Sequence, residues 1–137
     1  MNVYRSKAGL LPGSSYEEVL AVARKEFNKI RSANPRRHAY VRSTYFNKSK
    51  IFIAPLYWDH LMQEHRKKRT KRLKFYNAAI DLLRKSRCEP YTIFKEGDIL
   101  HRFYGKTKEG IEYCVQVKQN KRTGRLDFMS VFDKKIE

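Results

Sequence analysis

The chain reads as an α+β protein, with N-terminal helices packed on a small antiparallel sheet of about four strands. Three observations predict this. Ser15 stands three residues before Glu18, and Tyr16, Leu20, Ala23, Phe27 and Ile30 follow at intervals of 4, 3, 4 and 3. That is a capping box opening an apolar helical stripe. A second block of helical spacing lies between residues 55 and 86. Last come Ile99–Gly105, Ile111–Lys118 and Leu126–Phe132, three runs of alternating apolar and polar residues separated by Gly-bearing turns. Such runs predict an antiparallel meander.

The elements follow in order. Residues 1–13 read as an arm ending in Pro12-Gly13. A helix of about 18 residues follows Ser15 and stops at Asn34-Pro35, because the residue before proline is pushed out of the α region. Residues 14–86 are mainly helical, with a short hairpin or two extended segments near 39–54, where Asn47-Lys48-Ser49 divides two β-branched and aromatic runs. Pro55 suits the first turn of a helix carrying Trp58, Leu61, Met62 and His65. Leu73, Tyr76, Ile80 and Leu83 form a third stripe. One long helix or two would satisfy this pattern, and two fit better because the stripes fall out of phase across residues 66–72. Glu89-Pro90 ends the helical part, Tyr91–Phe94 is a short fourth strand, and residues 90–133 complete the meander. All 137 residues are expected to form one domain.

Charge narrows the partners. Lys and Arg number 31 against 14 Asp and Glu, a net charge of +17. A field of this sign attracts polyanions, so nucleic acid is the expected partner, RNA first and DNA second. No apolar run reaches the ~20 residues that span a bilayer, and the N-terminus lacks a secretory h-region. A cytoplasmic protein without a membrane partner is expected. Cys88 and Cys114 form no CxxC pair and the four His are scattered, so neither a metal site nor a cofactor is expected.

RNA can be cleaved without a metal, because its 2′-hydroxyl is the nucleophile. The enzyme must move protons, neutralise the phosphorane and orient the phosphate. The meander supplies residues of these types: His101 for acid–base work, Arg102 and Lys118 for charge, and Gln116, Ser130, Tyr104 and Tyr113 for hydrogen bonds. Each also has a plainer role, such as a hydrogen-bonded core histidine or a solvated edge lysine. Arg66, Lys67, Lys68, Arg69, Lys71 and Arg72 place six cations in seven positions. Their mutual repulsion favours a phosphate grip over a merely solvated helix end. Arg36, Arg37, Arg42, Lys121, Arg122 and Arg125 could extend that grip, with Tyr40, Tyr45 and Phe46 offering rings for stacking.

Several segments, taken in their order, carry a resemblance. They are Tyr40-Val41-Arg42-Ser43, Ile51-Phe52-Ile53, Trp58-Asp59-His60-Leu61, Arg72-Leu73-Lys74-Phe75-Tyr76, Ala79-Ile80-Asp81-Leu82, Leu100-His101-Arg102-Phe103-Tyr104-Gly105, Val115-Gln116-Val117-Lys118 and Phe128-Met129-Ser130-Val131-Phe132. Together they resemble a phage-associated branch of the barnase–EndoU–colicin–RelE-like nucleases, over residues 39–133. The resemblance implies one or two helices joined to a four-stranded antiparallel sheet. It implies a metal-independent endoribonuclease, often a toxin held by an acidic antitoxin or immunity protein. It also implies a site led by His101, Lys118 and Ser130, with His60 and Arg42 as further matches. No strand-borne Glu stands opposite a His as in barnase; Glu112 is the nearby carboxylate. The general base therefore stays open, and a mechanism leaning on Lys, Arg and Tyr is the alternative. Two other functions fit the same residues: a non-catalytic nucleic-acid-binding protein, and a basic phage-encoded interaction or inhibitor protein.

Overall fold

The computed structural model describes residues 2–53 and 56–134. Pro55, expected to open a helix, and Ala54, expected to end an extended run, lie outside the described residues. The elements are β1 (Val3–Arg5), α1 (Tyr16–Ala33), β2 (Tyr40–Ser43), β3 (Ser49–Phe52), α2 (Leu56–Met62), α3 (Arg66–Leu73), α4 (Tyr76–Lys85), β4 (Tyr91–Lys95), β5 (Asp98–Lys106), β6 (Glu112–Asn120) and β7 (Leu126–Asp133).

Local sequence explains the helix ends. The Ser15 hydroxyl accepts the Glu18 amide and the Glu18 carboxylate accepts the Ser15 amide, closing the expected capping box. These bonds to the Ser14 and Ser15 amides hold the Glu18 carboxyl below its ordinary range. Asn34 turns extended and ends α1, and its Nδ2 donates to His38 O and Tyr40 O, both at 2.8 Å. That amide ties the α1 exit to β2 across Arg36 and Arg37, whose φ angles of 57° and 56° are left-handed. The basic run is itself a helix, α3. Residues 56–85 therefore hold three short helices where one or two were expected.

The sheet corrects the fold expected from sequence. It has seven strands in the order β1-β5-β6-β7-β3-β2, with β4 also paired to β5, and β1/β5 and β3/β7 run parallel. The α+β layout stands, but the sheet is larger than about four strands and mixed. The meander β5-β6-β7 is antiparallel. Both extra contributions come from far along the chain. The arm supplies β1, and the β2–β3 hairpin docks against β7 through Ile51↔Leu126. β4 and β1 lie end to end along one side of β5, opposite residues 98–102 and 104–106 respectively.

The helices cover one face. Val41, Ile51, Tyr113, Val115, Val117, Phe103, Phe128 and Val131 pack there against Tyr57, Leu61, Leu73, Tyr76, Leu82 and Leu83 in one core. Gly105 is required in it: a Cβ there would lie 2.5 Å from the Tyr113 ring, which crosses β5 so that its hydroxyl donates to Ala78 O at 2.9 Å. Alternation along β7 does not run straight through. Gln116 pairs with Ser130 but Val117 pairs with Phe128, so Met129 is an extra residue and the strand bulges. Unbroken alternation would set Ser130 and Phe132 on the face of Leu126 and Phe128; the bulge moves them to the opposite face.

Candidate nucleic-acid interface

The face turned away from the helices is built from alternate residues of every strand. Tyr40, Leu100 and Cys114 are buried on it yet stand outside the core cluster. Strand register sets its residues in rows. One row reads Ile93, Leu100, Lys118, Asp127, Phe52, Tyr40. The next reads Tyr91, Arg102, Gln116, Ser130. A third reads Val3, Tyr104, Cys114, Phe132.

Cations lie over rings along these rows. The Arg125 guanidinium sits 4.0 Å from the Phe52 ring centre and its Nε lies 3.3 Å from the Asp127 carboxylate. Lys50 is 4.7 Å and Arg42 5.7 Å from the Tyr40 ring. Arg72 lies over Phe132 and Lys134 over Tyr104. Arg102 Nε donates to Gln116 Oε1 at 3.0 Å, and Lys118 stands 3.7 Å from Asp98. Burial raises the Tyr104 phenol above its ordinary value, the nearby Cys114 adding to this and Arg102 opposing it. Burial also pushes the Cys114 thiol up to about 11, so it is a neutral packing group at pH 7.

The expected catalytic set is divided between the two faces. Arg102, Gln116, Lys118 and Ser130 share the open face. His101 does not: it points to the helix side, at 8% exposure. Its Nε2 donates to Gln119 Oε1 at 2.7 Å, its Nδ1 shares a hydrogen bond of 3.0 Å with the Thr92 hydroxyl, and the Phe46 ring stands edge-on at 5.0 Å. His60 is half-buried on α2, in the helix layer. Tyr113 is buried under α4. Among the described residues, no group of three or more His, Cys, Asp or Glu side chains could hold a metal ion.

Most of the basic run is paired within the protein, although Arg66, Lys68 and Lys71 stay exposed to solvent. Arg66 pairs with Glu17 and lies over Tyr16. Arg69 donates to Met62 O and Glu64 O, both at 3.0 Å. Lys68 and Arg72 flank Glu64 at 3.9 and 3.6 Å, and Lys71 reaches Asp133 at 3.0 Å. Lys67 is exposed. The repulsion expected of six neighbouring cations is thus offset by carboxylates from α1, β7 and the α2–α3 turn. Lys121 and Arg122 are exposed in the β6–β7 turn, where Asn120 Oδ1 accepts the amides of Arg122 and Thr123 at 2.9 Å.

Lys50, Phe52, Asp98 and Asp127 were not among the sequence candidates. The alternation in Ile51-Phe52-Ile53 could have marked Phe52, since it alone of the three must face away from the core. The carboxylates needed the register, which no local pattern supplies. The open face can therefore stack planar groups and neutralise phosphates, and its acids are engaged with its own cations. Neither a protein-family model, nor a curated protein, nor a solved structure matches the chain.

Proposed function

We propose that the protein binds single-stranded nucleic acid, RNA foremost, across the open face of its sheet. The observation that carries this reading is Arg125 over Phe52 at 4.0 Å, on the face turned away from the helical core, in a chain of net charge +17. A base stacks equally well on a ring or on a guanidinium plane. Ser130 beside the platform supplies a hydroxyl of the kind that exchanges hydrogen bonds with a ribose 2′-hydroxyl, while Gln116, itself buried, accepts from Arg102 and donates to Met129 Sδ and so holds that guanidinium in place. Fluorescence anisotropy with a short single-stranded RNA tests it. Phe52→Ala should weaken binding about 5- to 150-fold, the worth of one stacked base. Arg24→Gln, on the exposed side of α1, should bind as wild type. If Phe52→Ala and Arg125→Ala both retain full affinity, the open face is not the binding surface.

One arrangement favours a second reading, a metal-independent endoribonuclease of the barnase–EndoU–colicin–RelE-like kind. Arg102, Gln116 and Ser130 stand in one row with Lys118 in the next. They could hold a phosphodiester and neutralise its charge while the 2′-hydroxyl attacks. The base would then come from Asp98 or Asp127, both on that face, and not from His101. Incubation with RNA in excess chelator decides. Products ending in 2′,3′-cyclic phosphate, lost in Lys118→Ala and retained in folded His101→Ala, establish this reading; intact RNA excludes it. An acidic antitoxin would then have this face to cover.

A further inference from the structure

We propose that the cleft between the end of β1 and the β5–β6 turn is a binding site for a compact oligophosphate. Arg5, Lys7, Lys106 and Lys108 line an open cleft of about 410 Å³, with Ser6, Thr107 and Gly110 completing it. Backbone bonds fix this arrangement. Arg5 is in register with Lys106, Ser6 N donates to Lys106 O at 2.9 Å, and Lys108 N donates to Ala8 O at 3.0 Å. The four cations come from two segments about a hundred residues apart, so no charge run marks them in the sequence.

Two features separate this cleft from the other basic regions. No carboxylate lines it, and none of its four cations is in an ion pair with a described residue. In α3, by contrast, Arg66, Lys68, Lys71 and Arg72 each have an acid within reach. Three acids stand nearby. Asp81 accepts from Tyr4, Ser6 and the Lys7 amide, Glu109 accepts the Leu10 amide and also feels the Lys108 charge, and Glu112 is the cross-strand neighbour of Lys106 without forming an ion pair with it. The mouth is unobstructed at Gly110, where an added Cβ would meet nothing within 4 Å.

Unpaired like charges crowded in one place concentrate anions. One phosphate monoester, at about −2, offsets only part of four cations. Two or three linked phosphates match them, which sets the ligand class. Such a group could arrive as the 5′ end of an RNA or as a free nucleoside triphosphate.

Calorimetry with inorganic triphosphate and the full chain tests the site. Wild type should bind, and Arg5→Gln/Lys108→Gln, two exposed positions, should weaken binding about 10-fold or more. Arg24→Gln/Lys25→Gln on α1 is the control and should bind as wild type. A second arm compares one RNA carrying a 5′-triphosphate or a 5′-hydroxyl. Tighter binding of the triphosphate form, lost in the double variant, identifies the RNA end as the source. Equal binding of the two RNAs, with nucleoside triphosphate still bound, identifies the free nucleotide. Absence of triphosphate binding, or equal binding by the double variant, overturns the proposal. Because inorganic triphosphate carries no base, Phe52→Ala should leave this titration unchanged. Failure of the stacking platform and failure of this cleft are therefore read separately.

Discussion

At position 101 the imidazole has partners on both nitrogens and a phenyl edge against its face. Removing it leaves Thr92 and Gln119, both half-buried, short of a partner and opens space beside Phe46, which costs about 1 kcal/mol or more. His101→Ala should therefore lower the denaturation midpoint, while the fraction still folded binds RNA as wild type. Alternation already implied this placement, since Ile99, His101 and Phe103 share a face and two of the three are apolar. Residue type pointed to chemistry; residue parity pointed to structure. Tyr57 makes a related point. It is 1% exposed, stacked on Phe128 at 4.5 Å, and its hydroxyl has no hydrogen-bond partner among the described residues. Tyr57→Phe removes an unsatisfied polar atom and keeps the stack. Its stability should equal or exceed wild type by up to about 1 kcal/mol on urea unfolding.

Among the elements, β1 has the most to lose from acid. Its own Tyr4 and the following Ser6 and Lys7 converge on the Asp81 carboxylate of α4 at 2.9, 2.8 and 3.1 Å. Partial burial works to raise the Asp81 carboxyl, but the Ser6, Tyr4 and Lys7 donors and Lys85 outweigh it and hold the group below its ordinary value. A carboxyl lowered on folding adds stability above its unfolded value of about 3.9, and that contribution is lost as pH falls through the folded value. Asp81→Asn should therefore flatten the acid limb of a stability–pH curve below about pH 4 and cost stability at neutral pH. If wild type and variant have parallel curves, β1 is not held by this charge. In α3, Arg69→Ala should destabilise by about 1–3 kcal/mol, because two turn carbonyls lose a charged donor. Lys67→Gln should unfold as wild type does. Legibility at this scale followed range. The α1 cap and stripe, the hairpin and the meander were readable because their determinants lie within one element. β1 was not, because three residues carry no periodicity and their partner is Tyr104–Lys106. The Met129 bulge was not, because it is a property of two strands at once. That bulge displaced Ser130 and Phe132 from their expected face, and so part of the candidate site was misplaced with it.

Across the whole molecule, charge is less available than composition suggests. Several of the 31 basic residues are joined to acids or carbonyls of the same chain. Cations outside such pairs are grouped on the open face around Lys50 and in the β1–β5 cleft, while others, Arg24, Lys25 and Lys67 among them, stand exposed elsewhere. Binding of single-stranded RNA should weaken linearly in log–log plots against salt, at about −0.7 per phosphate contacted. Lys50→Gln should make that slope shallower by about one such unit, and Arg66→Gln should leave it unchanged. Equal slopes for all three proteins would mean that paired and unpaired cations contribute alike. The parallel pairings of β1 with β5 and of β3 with β7 have a consequence in time. Val3 must wait for Tyr104, and Ile51 for Leu126. At about 5–20 residues per second, a ribosome takes roughly 5–20 s to deliver the partner of β1 after β1 itself has been made. During that interval the helices and the hairpin exist without the strands that cover their apolar sides. The strands at the two ends of this sheet's order, β1 and β2, are made early, and its central strands, β6 and β7, are made last.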